Sequence, residues 1–186
     1  IVHPLVTVQV GSQVSGRIAS LHADYNSVVK KGEVIARIDP QQLETAVQRN
    51  RANVAAARAN VARAEAALAD AQRQRTRAQE LAPRGLISQA ELDTVEVNVQ
   101  KAQADLDVQQ GARAQAQAAL SEAQVNLGYT VIRSPTDGVV ITRSVDVGQT
   151  VAASLQAPVL FTIARDLSKM QVHTSVAESD VGRLQS

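Results

Sequence analysis

The sequence predicts an α+β protein, a long antiparallel helical hairpin inserted between the two halves of a small β-sandwich. Three observations predict it. Strand-like alternation fills residues 5–39 and returns over residues 130–166. The two stretches match each other position by position. Between them lies an Ala- and Gln-rich region with a heptad pattern, broken once at Pro83 and Gly85.

In the first β stretch the apolar positions are Val6, Val8, Val10, Val14, Ile18 and Leu21, then Val34, Ile35 and Ile38. This is the period of half-buried strands. Gly11, Gly16, Asn26 and Gly32 punctuate it, and turns at such positions often need positive φ. The segment SGRIASLHADYNSVV (15–29) aligns with DGVVITRSVDVGQTV (137–151). Gly16 then matches Gly138, Ile18 matches Val140, Asn26 matches Gly148 and Val29 matches Val151. After three extra residues in the second copy, VIARI (34–38) meets VLFTI (159–163). Asn tolerates the left-handed region better than other non-glycine residues, so Asn26 opposite Gly148 predicts one turn shared by both copies. Neither half is large enough to bury its apolar face alone, so the two should pack together as one sandwich.

The intervening region opens on Asp39-Pro40-Gln41-Gln42, a helix start with Asp as N-cap, Pro at the first helical position and Gln at N3. Leu43, Val47, Asn50, Val54, Ala57, Val61, Ala64, Leu68 and Ala71 follow at alternating intervals of four and three, which is a heptad seam. The return arm repeats it with Leu92, Val95, Val99, Ala102, Leu106, Ala116, Leu120, Ala123 and Leu127. Gln109 and Arg113 fall in the same register and weaken it, with Gly111 between them. Gly128 stands where a C′ glycine would end the arm. Arms of about 40 residues imply helices of roughly 60 Å. Joined by one short turn, they must run antiparallel. Small Ala residues in the seam let the backbones approach closely. Most of each helix stays uncovered, as in a lever or in a surface meant for something else.

Composition excludes several functions. A net charge of +1 gives no broad attraction to nucleic acid or acidic lipid. Aromatics make up 2% of the chain and there is no Trp, which suits thin, elongated elements better than a deep core. With no Cys there is no disulfide, thiolate metal site or Cys nucleophile. No apolar run approaches the roughly 20 residues that span a bilayer. Both ends stop in mid-pattern, so the expectation is a piece of a longer chain. His3, His22 and His173 are scattered, without ligand or triad spacing, and the glycines form no phosphate loop. No catalytic residue, cofactor or metal is expected. Arg49, Arg51, Arg58, Arg63, Arg73, Arg75 and Arg77 make the first arm basic, but no aromatics interleave for base stacking.

The corner RTRAQELAPRGLISQAELDTVE (75–96) carries the sharpest signal. Pro83 and Gly85 stop the outgoing helix, and Ser88-Gln89-Ala90-Glu91 is a capping box for the return helix. Arg77, Leu81 and Ser88 stand at i, i+4 and i+11, the first two on one helix face and the third across the turn. With GLIS and ELD flanking, this corner resembles the hairpin tips of the HlyD-like periplasmic adaptor (membrane fusion) subunits of tripartite efflux pumps and type I secretion systems. The resemblance extends over the chain. The split repeat is similar to that family's lipoyl domain, RSPTDGVVITRSVDVGQTV to its second half, and DLSKMQVHTSVAESDVGRL (166–184) to the opening of its β-barrel domain.

The resemblance implies four parts: residues 1–39 as the first lipoyl half, 40–128 as the hairpin, 129–165 as the second half and 166–186 as a truncated barrel start. It implies a periplasmic, non-enzymatic adaptor, anchored to the inner membrane by a segment upstream of Ile1. Six copies would pack side by side into a funnel. Arg77, Leu81 and Ser88 would meet a TolC-type outer-membrane channel, while the later domains grip an inner-membrane transporter of ABC, RND or major-facilitator type. Two rival readings are a lipoyl or biotinyl carrier domain and a purely structural coiled coil. The carrier needs a Lys at the junction of the halves, and neither RIDPQQ nor NLGYTV offers one. The coiled coil leaves the split repeat without a purpose.

Overall fold

The computed structural model describes residues 2–4, 6–153, 158–165 and 170–172. It divides into two compact units, Ile1–Pro40 with Gly128–Ser186, and Gln41–Leu127.

The first unit contains ten strands. Before the hairpin come β1 (Val2–Pro4), β2 (Thr7–Gly11), β3 (Gly16–Leu21), β4 (Val28–Val29) and β5 (Val34–Ile38). After it come β6 (Val131–Arg133), β7 (Gly138–Arg143), β8 (Thr150–Val151), β9 (Val159–Ala164) and β10 (Met170–Val172). β1 pairs antiparallel with β10. The other eight make two four-stranded sheets, ordered β2-β9-β7-β4 and β6-β5-β3-β8. The second sheet repeats the first with the halves exchanged. Each has two strands of one half at its centre and two strands of the other half at its edges. Gly16 pairs with Val151 while Gly138 pairs with Val29, the reciprocal pairing that the aligned positions predict.

The turns repeat too. Asn26 (φ 64°) and Gly148 (φ 88°) share the left-handed conformation. The Asn26 N–H donates to the Val140 carbonyl and the Gly148 N–H to that of Ile18, both at 2.8 Å. Gly32 also has positive φ. Gly11 and Gly16 do not; both lie in strands, Gly11 beside a bulge. What Gly16 and Gly138 supply is close approach. A Cβ on Gly16 would lie 2.5 Å from Ile38 Cγ2, and one on Gly138 would lie 2.2 Å from the Ala164 carbonyl oxygen.

The fourteen buried core residues pair across the repeat without remainder. Val10, Ile18, Ala23 and Val29 have Ile132, Val140, Val145 and Val151 as counterparts. Ile35, Ala36 and Ile38 answer to Leu160, Phe161 and Ile163. One aromatic ring among them suffices because the layers are thin. The repeat also reaches further upstream than residue 15. Ser12 and Ser134 are buried counterparts whose hydroxyls donate to the carbonyls of Val14 and Thr136, each at 2.6 Å. Four residues precede Gly16 and Gly138 in both cases, so the pattern S-x-x-x-G was available to find them.

The second unit is the hairpin of α1 (Gln41–Leu81) and α2 (Gln89–Gly128). Helix α1 begins one residue later than the cap pattern suggests, and the Asp39 carboxylate accepts from Arg17 at 3.0 Å. Gly128 is the last residue of α2, without the left-handed φ of a C′ glycine. The heptad seam forms as expected. Val47, Val54, Leu120 and Ala123 make one buried cluster, and Val61, Ala64 and Leu106 make another. Arg113 is exposed at its seam position, and α2 runs unbroken through Gly111.

Candidate functional site at the hairpin tip

The tip is built mainly by helix ends, because burial is thin there. On α1 the fully buried residues end at Ala64, and on α2 they begin at Leu106. Beyond them the seam continues with half-buried Leu68, Ala71, Arg75, Ala78, Leu92, Val95, Val99 and Ala102. Arg75 therefore occupies a seam position, and its Nε is buried without a hydrogen-bond partner. Such a group weakens the pair locally. Extending the heptad by one step from Ala71 would have found it.

Helix α1 ends in a 3₁₀ turn, Ala82–Arg84, with Pro83 inside it and Gly85 following at φ 67°. The Gly85 N–H donates to the Ala82 carbonyl at 3.0 Å and the Leu86 N–H to that of Leu81 at 3.4 Å. Together these are the two bonds of a Schellman motif, with Leu81 at C3 and Leu86 at C″, the positions often filled by an apolar pair. Leu81 thus has a structural duty besides any contact it makes. Across the turn, the capping box forms in full. The Ser88 N–H donates to Glu91 Oε2 at 2.8 Å, Ser88 Oγ bonds the same oxygen at 3.0 Å, and the Glu91 N–H donates back to Ser88 Oγ at 3.2 Å. The Ser88 backbone and hydroxyl bonds hold the Glu91 carboxyl below the ordinary carboxylate range.

Between the two helix ends lies a groove of about 580 Å³, lined by Arg77, Ala78, Leu81 and Ile87 on one side and by Glu91, Thr94 and Val95 on the other. Arg77 and Leu81 are brought together on its wall. Ser88 is not in the lining; it reaches the groove through Glu91, whose carboxylate it orients. Arg77 is exposed. Its Nε makes a long 3.4 Å bond to the Arg73 carbonyl, and among the described residues it has no ion pair. The groove thus offers an apolar floor, an available guanidinium and an oriented carboxylate. This chemistry suits a polypeptide surface rather than a reaction. Leu86, 66% exposed on the outer side of the turn, was not singled out from the sequence. Exposure of a large apolar residue at a loop tip is its signal.

Among the described residues there is no metal-ligating cluster and no helix long and apolar enough to cross a membrane. In the first unit, Arg143 bridges Asp24, at 3.0 Å, and Asp146. The two aspartates are counterparts in the repeat. Their shared cation ties the two halves, as does the bond from the Lys31 N–H to Asp137 Oδ1 at 2.9 Å.

Comparison with known proteins agrees with this architecture. The family model for the RND MFP barrel-sandwich hybrid domain matches residues 6–163. The macrolide export protein MacA of Escherichia coli O157:H7 is 36% identical over 174 residues, 94% of this chain and 47% of MacA. The pyoverdine export membrane fusion protein PvdR of Pseudomonas putida is 35% identical over 178 residues, 96% of this chain and 45% of PvdR. The crystal structure of MacA from Actinobacillus actinomycetemcomitans superposes with a TM-score of 0.86 at 34% identity, covering 97% of this chain and 56% of that one. A MacA–MexA chimera carrying the Pseudomonas aeruginosa MexA α-hairpin gives 0.58 at 32% identity, over 97% and 55%. The chain spans about half the length of these relatives. With a split, pseudo-symmetric sandwich, an inserted heptad hairpin and this match over most of its length, the chain belongs to the membrane fusion protein family of efflux systems, through its barrel-sandwich hybrid domain.

Proposed function

We propose that this chain is the coupling segment of a periplasmic adaptor, anchored to the inner membrane, which joins an inner-membrane transporter to a TolC-type outer-membrane channel. In this reading the hairpin tip engages the channel. Leu81 is the apolar anchor, Arg77 bonds carboxylates or carbonyls of the channel's helices, and Ser88 makes a close small-residue contact while capping α2. Several copies, six by family resemblance, stand side by side as a funnel. Residues 129–165 complete the lipoyl-like unit begun by 1–39, and residues 166–186 open a β-barrel domain; all but 170–172 of that last segment lie outside the described residues. The role is mechanical and sealing, not enzymatic.

The observation that carries the reading is the groove itself: an unpaired Arg77 beside Leu81, at the tip of a hairpin with no catalytic cluster around it. Cargo differs among relatives of similar identity, macrolide for one and pyoverdine for another. That is expected of a part that couples and need not read the substrate.

The test is Arg77→Asp and Leu81→Ser in cells lacking the adaptor, with circular dichroism to check the hairpin. Export should be lost while helicity stays unchanged. Full complementation by either variant would remove the tip assignment. A Ser88→Cys crosslink should form to the channel; crosslinks to cytoplasmic proteins alone would overturn the proposed location.

A further inference from the structure

We propose that the two outer edges of the hairpin are complementary, so that a second copy of this chain lays its α2 edge along the α1 edge of the first, at the same level. The inference rests on the side-by-side assembly proposed above and specifies its register.

The seam fixes which residues stand level. Ala64 clusters with Leu106, and Val47 with Ala123. In an antiparallel pair this correspondence, continued outward, sets Arg49 level with Glu122 to within one residue. It likewise sets Arg63 level with Asp107, Asp70 with Lys101 to within one residue, and Arg77 with Asp93. All eight are exposed. In heptad terms they sit on the sides of the helices away from the seam, so within one chain the members of each pair point in opposite directions. A neighbour related by rotation about an axis along the hairpin keeps all levels and brings each α1 member against its α2 partner.

The order of signs carries the argument. Down α1 the charges run plus, plus, minus, plus; at the same levels α2 runs minus, minus, plus, minus. A basic arm beside an acidic arm would produce general attraction. It would not produce the inversion at Asp70 and Lys101, which matches only in this register. No ion pair joins the two arms within the chain, and of these eight residues only Asp70 has an ion-pair partner, Arg73 on its own helix at 3.1 Å. The apolar relief agrees. Val97 and Val108 are exposed by 45% and 65% on the α2 edge. The α1 edge opposite presents Ala59, Ala62, Ala66 and Ala69, small enough to admit them. Because the two edges differ, the contact is heterologous, and a constant rotation closes it into a ring. A neighbour's Asp93 would also orient Arg77, whose remaining N–H groups stay available at the tip.

The test uses the absence of native Cys. In intact cells, Arg63→Cys with Asp107→Cys should give an oxidation ladder that adds one chain per rung. A disulfide needs Cα atoms within about 7 Å, so the opposed edges of one chain cannot form it internally. Arg63→Cys with Ala114→Cys, one heptad out of register, should give at least tenfold less product. Asp70→Lys in the level pair should reduce the ladder about fivefold, the scale of an exposed ion pair, and adding Lys101→Asp should restore it. Equal yields from the two cysteine pairs, no restoration by the charge swap, or efficient dimerisation of Arg63→Cys alone would each overturn the register. If no pair crosslinks, sedimentation separates the two failures: an oligomer discards this register and keeps side-by-side assembly, whereas a monomer discards both.

Discussion

Ser88 has two roles that substitution can separate. Ser88→Ala removes the acceptor for the Glu91 N–H (3.2 Å) and the hydroxyl bond to Glu91 Oε2 (3.0 Å), but keeps the bond from the Ser88 N–H to that carboxylate (2.8 Å). Loss of a Ser N-cap costs about 1 kcal/mol. Because no residue between Glu65 and Asp105 is fully buried, that cost should fall on the first turn of α2 and leave the global unfolding midpoint nearly unchanged. Amide exchange at Glu91 and Leu92 should accelerate about fivefold, the equivalent of that free energy at local opening. Ser88→Asp restores an acceptor beside a helix N-terminus, where a carboxylate is favourable, and exchange should return to the parent rate. Export should not return, because the added charge and volume sit where a small residue is proposed to contact the channel. If Ser88→Asp recovers both protection and export, Ser88 is a cap and nothing more. If Ser88→Ala leaves exchange unchanged, the capping argument itself fails.

Two further outcomes test the sandwich. Gly138→Ala should destabilise it more than Gly16→Ala, within the roughly 1–3 kcal/mol typical of overpacking, because the added Cβ meets the Ala164 carbonyl in one case and the movable Ile38 side chain in the other; urea midpoints in the reverse order would contradict this. The Asp24 carboxyl is held below its ordinary value first by the Tyr25 N–H and then by Arg143. Since its folded pKa is depressed, the stabilisation is present at neutral pH and is lost as pH falls below the unfolded carboxylate value through the folded one. Asp24→Asn should therefore be less stable than the parent at pH 7 and converge with it below about pH 4, and parallel urea-midpoint curves across that range would show that the carboxylate contributes nothing.

Legibility followed the strength of the local constraint. Gly16 and Gly138 were visible as a repeat because a Cβ does not fit at either position, and Asn26 with Gly148 because few residues accept positive φ. The seam was visible because a two-helix pair has one buried stripe and a fixed period. Helix ends were less legible. Asp39 has a partner in Arg17, a residue distant in sequence, and Gly128 simply continues its helix. Arg75 was grouped with the solvent-facing arginines because charge argued for exposure, whereas its heptad position half-buries it.

The sequence by itself determined the α+β class, the insertion of the hairpin into a split repeat, the seam, the capping box and the spacing of Arg77, Leu81 and Ser88. All of these are set by neighbours along one chain, through backbone preference and apolar period. Tertiary structure alone decided how the halves interlock. Edge strands of each half complete the sheet of the other, Arg143 is held by both equivalent aspartates, and Arg77 and Leu81 come to share a groove that Ser88 serves from outside. Those outcomes depend on which distant surfaces meet, and two strands of equal period carry no record of the partner each will choose.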